Sequence, residues 1–248
     1  MKKLSFLLLA TTPSLAQTSF QLGPRVGATL ATVRYTGSAA YGQVASDYPT
    51  TYRVGFEAGV VGSWQIGHLA VQPALLFQRK GFYSDYEQVY TSSYLPSASF
   101  SNTVSMNYLT VPVNIVYTQK VHGQGFQLFA GPYLSRLVGG HYHSDYVLHP
   151  REERGAFDGK TIAGDNNPNE PGQEDMYYKR LDAGLQAGCG YQYQQWLLQA
   201  SYRWGLRNIA ATYTGPSNPS NPNGTTLSTL PTYTRAVELS LTRLFRLP

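Results

Sequence analysis

The chain has 248 residues, a net charge of +5 at neutral pH, 13% charged residues, a single cysteine, 20 tyrosines and 24 glycines. That charge is too mild for a nucleic-acid binder, because two of the positives, Lys2 and Lys3, sit at the extreme N-terminus. The charged fraction is about half that of an ordinary soluble domain. One cysteine excludes an internal disulfide, and no apolar stretch reaches the roughly 20 residues of a membrane-spanning helix.

The N-terminus reads as a secretory leader. Lys2 and Lys3 give the positive start, residues 4–10 the apolar run, and Ser14, Leu15 and Ala16 a small-x-small cleavage site. The expected organisation is a signal peptide over 1–16 and one barrel domain over 17–248. The only cysteine, Cys189, lies far from the cleavage site, so a lipoprotein anchor is not expected.

Beyond the leader, segments that alternate apolar and polar side chains with period two recur between turn signals, which is the pattern of a sheet with two unlike faces. In the first strand Phe20, Leu22, Val26, Ala28 and Leu30 share one face, and Gln21, Arg25 and Thr29 the other. In the second, Tyr52, Val54, Phe56, Ala58, Val60 and Trp64 oppose Arg53, Glu57, Ser63 and Gln65. A tight turn at Ile66, Gly67 and His68 leads to a third strand, with Leu69, Val71, Leu75 and Phe77 against Gln72, Gln78 and Lys80.

The fourth strand sets Leu109, Val111, Val113, Ile115 and Tyr117 against Tyr108, Thr110 and Asn114. The fifth, over 126–138, is a strand whose faces the pattern leaves open, because Leu128 and Ala130 compete with Phe129 and Tyr133 for the apolar side. The sixth sets Leu181, Ala183, Leu185, Ala187 and Tyr191 against Arg180, Asp182 and Gln186. Gln194 and Gln195 form a short turn into the seventh, where Trp196, Leu198, Ala200, Tyr202, Trp204 and Leu206 oppose Gln199, Ser201, Arg203 and Arg207. The eighth sets Tyr233, Val237, Leu239, Leu241, Phe245 and Leu247 against Thr234, Glu238, Ser240 and Thr242.

Connections alternate in length. Those near Ile66, Val121 and Gln194 are short, whereas 36–49, 84–101, 141–175 and 212–231 are long and polar. Short turns on one rim and long loops on the other are the arrangement of outer-membrane barrels, with the long loops outside. The expected fold is therefore all-β: a transmembrane, antiparallel, up-and-down β-barrel of about eight strands with short periplasmic turns and long extracellular loops. Both termini fall on the periplasmic side, and Trp64 and Trp196 lie where an aromatic girdle meets the inner interface.

A barrel of about eight strands has an interior only wide enough to be filled by its own side chains. Charges on the polar faces must then be paired, since an unpaired buried charge is costly. Arg25, Arg53, Arg180 and Arg203 are expected to be balanced by Glu57, Asp182 and Glu238 in an interior network.

Four stretches carry a family likeness: Asn107-Tyr108-Leu109-Thr110-Val111-Pro112-Val113, Phe129-Ala130-Gly131-Pro132-Tyr133, Leu181-Asp182-Ala183-Gly184, and Tyr202-Arg203-Trp204-Gly205-Leu206-Arg207-Asn208. Together with Leu75 and Phe77-Gln78-Arg79-Lys80-Gly81, they resemble the PorT-like outer-membrane β-barrel proteins of Bacteroidetes. The resemblance implies an outer-membrane barrel and an association with protein secretion across that membrane. Thr110 precedes Val111 and Pro112 where the family often carries an acidic residue, and the third long loop is expanded.

Catalysis by outer-membrane barrels needs a nucleophile or carboxylate system with a histidine in reach. His68 and His122 fall in short turns, and His141, His143 and His149 at the start of the third long loop, read here as solvated loop residues. His141, His143 and Asp145 carry metal-ligand chemistry at short spacing, and Asp158, Asp165, Glu170, Glu174 and Asp175 lack the spacing of a calcium loop. No enzyme activity, cofactor or metal is expected. The expected partners are outer-membrane lipid and other envelope or secretion-system proteins. A solute-binding or solute-passing barrel, or one acting on lipid, is the alternative.

Overall fold

A computed structural model describes residues 18–38, 48–88, 97–167, 175–214, 226–227 and 229–246. The leader over 1–16, Leu247 and the turn-rich stretch over 216–224 lie outside the described residues. The elements are, in order, β1 (Thr18–Tyr35), β2 (Thr50–Ile66), β3 (Leu69–Gln88), β4 (Ser97–Thr118), a single 3-10 turn (Val121–Gly123), β5 (Gly125–His149), β6 (Glu153–Ala163), β7 (Asn166–Asn167), β8 (Met176–Tyr178), β9 (Leu181–Tyr193), β10 (Trp196–Gly205), β11 (Thr212–Thr214), β12 (Thr226–Leu227), β13 (Thr232–Arg243) and β14 (Phe245–Arg246).

Eight of these strands close a ring in the order β4-β3-β2-β1-β13-β10-β9-β5, with β5 paired back to β4. All pairings in the ring are antiparallel, and the first and last long strands meet from Arg25↔Thr242 to Tyr35↔Thr232. Closure matters because lipid offers no hydrogen bonds: an open edge inside the bilayer would strand backbone N–H and C=O groups at several kcal/mol apiece.

The period-two pattern decides which side faces lipid. Leu69, Val71, Leu75 and Phe77 of β3 are exposed on the outer wall, whereas Gln72, Gln78 and Lys80 are buried in the lumen. The same split holds along the other strands whose faces the pattern assigns, except at Arg53, which is half-buried, and at Arg180 and Arg207, which are exposed just outside β9 and β10. β5, whose faces the pattern leaves open, turns Leu128, Ala130 and Leu134 outward and buries Gln127, Phe129, Tyr133 and Ser135 inside.

The hairpins at the terminal rim are tight. Gly67 takes φ 61 and Gln194 takes φ 53 at the first turn position, the left-handed value that two-residue hairpins require. Inside, small residues make room for large ones: a Cβ at Gly27 would stand 2.9 Å from Glu57 Cγ, and one at Gly184 would stand 2.9 Å from Tyr133 Cε1.

Strand lengths are unequal. β3, β4 and β5 run to 20, 22 and 25 residues, against 13, 10 and 12 for β9, β10 and β13. A barrel strand crosses the bilayer in about 9–11 residues, so β3–β5 continue well beyond the outer interface, where β6 joins them through Leu148↔Glu153 to Gly140↔Thr161. This corrects two expectations about loops. Much of 141–175 is strand rather than loop, and the 84–101 connection is shortened by β3 reaching Gln88 and β4 beginning at Ser97. The reason is physical: Tyr142, Ser144 and Tyr146 alternate with His141, His143 and Asp145, and the aromatic members stack. Tyr86–Phe100, Phe100–Tyr146 and Tyr146–Phe157 ring centroids lie 5.1, 6.3 and 6.2 Å apart across β3–β6.

Candidate functional site

Among the described residues the lumen is the most elaborate polar site, and it is layered. Next to the short turns lies an amide layer: Gln65 Nε2 donates to Thr118 Oγ1 at 3.0 Å, and Gln127 Nε2 to Gln192 Oε1 at 3.1 Å. Above it Gln199 Nε2 donates to Gln72 Oε1 at 3.2 Å, and Gln186 Nε2 to Asn114 Oδ1 at 2.7 Å. Arg25 donates to Thr242 Oγ1 at 3.0 Å and to Gln199 Oε1.

The charged layer comes next and is organised by Gln78. Its Nε2 donates to Glu57 Oε2 at 2.6 Å and to Glu238 Oε1 at 3.2 Å. Its Oε1 accepts from Arg203 Nη1 at 2.6 Å and from Thr110 Oγ1 at 2.9 Å. Arg203 Nε stands 2.9 Å from Glu238 Oε2, an ion pair by distance although its N–H is not aimed along a hydrogen bond. Lys80 Nζ lies 4.0 Å from Glu238 Oε1 and 5.6 Å from the centre of the Tyr133 ring. Asp182 Oδ2 accepts from Thr234 Oγ1 at 2.8 Å and from the Tyr133 hydroxyl at 3.4 Å. Among the described residues the buried charges are three basic, Arg25, Lys80 and Arg203, and three acidic, Glu57, Asp182 and Glu238. The equality is what a low-dielectric lumen demands.

Toward the outside the lumen turns apolar. Val33, Phe82, Val104, Met106, Tyr108, Leu137, Tyr142, Tyr178 and Ile209 form one buried cluster across the mouth. Tyr178 and Ile209 come from connecting segments that fold over the opening: Lys179 N–H donates to the Ile209 carbonyl, and Ile209 N–H to that of Thr232, at 2.8 and 2.9 Å.

Of the seven charges expected in the interior, Arg25, Glu57, Asp182, Arg203 and Glu238 are buried there. Arg53 is only half-buried and bonds at the outer wall, to Ser105 Oγ and to the Val104 carbonyl at 3.3 Å. Arg180 departs from the expectation: it precedes β9 and is exposed, because the inward parity of that strand begins at Asp182. Gln78 and Lys80 complete the layer. Both share the polar face of the third strand, and their alignment with Glu57, through Glu57↔Gln78, needs the β2–β3 register to be seen.

The histidines of the third loop lie on β5. His141 and His143 point away from the aromatic stack, and β6 brings Asp158 to them: His143 Nδ1 is 2.9 Å and His141 Nε2 3.3 Å from Asp158 Oδ1. Asp145 lies 3.4 Å from His143 Nε2. The bond to Asp158 holds the His143 imidazole above its ordinary value, and the reciprocal bond lowers Asp158. Among the described residues no cluster of three such side chains is arranged to hold a metal ion.

A family model for an outer membrane protein beta-barrel domain matches residues 15–211. Solved structures with similarity include Ail, the attachment invasion locus protein of Yersinia pestis, at 11% identity and TM-score 0.35, covering 91% of this chain and 98% of that one. Neisserial surface protein A is 12% identical with TM-score 0.37, covering 91% and 97%. The outer membrane protease OmpT from Escherichia coli is 10% identical with TM-score 0.38, covering 92% and 97%. No curated protein matches the chain.

Proposed function

Because the chain belongs to the outer membrane protein beta-barrel family, we propose that it is a filled, non-conducting, non-enzymatic barrel of the cell envelope that works through its external surface. The observation that carries this reading is the lumen itself. A charge-balanced layer bridged by Gln78 and an apolar cluster across the mouth occupy the space a solute would need. The external β3–β6 sheet is the surface we assign to protein partners. Over Glu153–Gly159, β6 pairs only with β5 among the described residues, leaving an edge to which an extended segment can add; at Lys160 the backbone N–H is already bonded to Asp175 Oδ1.

The resemblance of the Asn107–Val113 and Tyr202–Asn208 motifs to PorT-like proteins of Bacteroidetes supports a partner in a secretion apparatus, and residues 1–16 serve as the export leader in this reading. The test is a clean deletion compared with its complemented strain, scoring extracellular proteins alongside a periplasmic leakage marker. Selective loss of secreted cargo without leakage is expected. An unchanged set of extracellular proteins would remove the secretion role. Planar-bilayer recordings separate the alternative: a silent barrel is expected, and steady conductance would favour solute passage.

A further inference from the structure

We infer that the outer wall carries a binding site for the phosphate-bearing headgroup of an outer-leaflet lipid, formed by an arc of arginines on the low rim of the barrel. The inference rests on the outer-membrane reading and adds residues and headgroup chemistry to it. Five neighbouring strands of the ring, β1, β13, β10, β9 and β5, each bring one arginine to a common level, at the external ends of β1, β13, β10 and β9 and midway along the longer β5. Arg34 lies on β1, Arg235 on β13, Arg207 just after β10, Arg180 just before β9, and Arg136 on β5. The register places them side by side. Arg34 opposes Tyr233, and Arg235 opposes both Thr32 and Trp204. Arg207 N–H donates to the Ala183 carbonyl, and Arg136 opposes Leu181, the residue after Arg180.

Parity turns Arg34, Arg136 and Arg235 to the same side as the exposed Leu30, Leu134 and Val237, and Arg180 and Arg207 are exposed. Below the arc the wall is apolar, with Val26, Leu128, Leu185, Leu198 and Leu239 facing out. Trp204 and Tyr202, 4.4 Å apart in ring centroids, sit between Arg235 and Arg207 as interface aromatics do.

Charge complementarity selects the occupant. β1 and β10 contain no acidic residue, the acids of β9 and β13, Asp182 and Glu238, point into the lumen, and that of β5, Asp145, lies nine residues beyond Arg136 beside His143. Among the described residues Arg34, Arg136, Arg180 and Arg207 make no ion pair; Arg235 instead donates to the Gly205 and Thr234 carbonyls at 2.9 and 2.8 Å. On the opposite wall, by contrast, the β3 extension exposes Asp85 and Glu87. Guanidinium groups at the top of an apolar wall match a lipid whose acyl chains lie on that wall and whose phosphate offers paired oxygens to planar donors.

The test uses full-length protein in zwitterionic vesicles containing either monophosphoryl lipid A or the same lipid enzymatically dephosphorylated, with retained lipid read by native mass spectrometry. The wild type is expected to retain the phosphorylated form about tenfold better, and R34Q/R136Q/R180Q/R207Q to fall below about twofold. Inorganic phosphate at millimolar concentration is expected not to displace the lipid, since the acyl chains contribute binding that the free anion lacks. A properly inserted wild type that retains both lipids equally, a variant that keeps the preference, or displacement by free phosphate overturns the inference alone. Heat-modifiable gel mobility and protease protection report insertion separately. A wild type that never inserts overturns the membrane reading and the headgroup site with it.

Discussion

Arg203 on β10 and Gln78 on β3 stand on diametrically opposed strands of the eight-strand ring, and their side chains meet at 2.6 Å, Nη1 donating to Oε1. The contact therefore spans the whole lumen. Gln78 uses both ends of its amide there, reaching two glutamates with one and an arginine and a threonine with the other. A single neutral side chain thus keeps the acidic and basic members in register.

Replacing it should be expensive. Gln78→Leu removes hydrogen bonds to three charged groups without removing the charges, and each such bond is worth about 1.5–3 kcal/mol. A loss of about 3 kcal/mol or more is expected in urea unfolding of the vesicle-inserted protein, followed by tryptophan fluorescence. An unchanged midpoint would show that Gln78 fills space without bridging.

Charge balance makes a second expectation. Glu238→Gln leaves Arg203 and Lys80 facing a lumen with one acid fewer, and breaking a buried pair costs about 3–5 kcal/mol. The double variant R203M/E238Q removes one charge of each sign, so its loss should fall short of the sum of the two single losses by about 1–3 kcal/mol. Strict additivity in the cycle would mean that the 2.9 Å contact between Arg203 and Glu238 carries no coupling.

Much of this architecture was legible in the chain because period two survives closure. Val26, Leu75, Ile115 and Leu239 face out and Arg25, Gln78, Asn114 and Glu238 face in, as alternation alone requires. β5 resists because its apolar residues are on both sides: Leu128 meets lipid, whereas Phe129 packs with Ala70 and Val116 inside. No local signal separates a lipid-facing leucine from a lumen-facing phenylalanine; the partners on β3 and β4 do. Arg180 misleads for a related reason, since parity extrapolated past the first residue of β9 does not hold where the chain leaves the sheet. The extension of β5 and β6 is hidden by its polar outer face, which reads as loop until Tyr146 and Phe157 are seen to stack.

Two barriers stand in series along the lumen, and they can be separated. I209A/Y178A thins the apolar cluster at the mouth, but the Gln78 layer beneath still crosses the barrel. That variant is therefore expected to stay silent in planar bilayers, like the wild type. Adding Gln78→Gly and Arg203→Ala, which takes away both side chains of the spanning contact, is expected to give measurable unitary currents. Conductance from the mouth variant alone would locate the seal wholly at the aromatic cluster.

The external hairpin should respond to pH through His143 and Asp158. Bonded to Asp158, His143 has a folded value raised above 6.5, so its contribution is full below 6.5 and is lost as pH rises through the raised value. Asp158 is lowered below 3.8, so its contribution is full above 3.8 and is lost as pH falls through the lowered value. The β5–β6 link is thus fullest between these limits, with His141 and Asp145 the other titratable groups on the same face. A nuclear magnetic resonance titration of the His143 imidazole should give a midpoint above 6.5 that drops toward 6.5 in Asp158→Asn and in high salt. Should the midpoint stay put in Asp158→Asn, the 2.9 Å contact is not what protonates His143, and the pH response of the hairpin must be sought in Asp145.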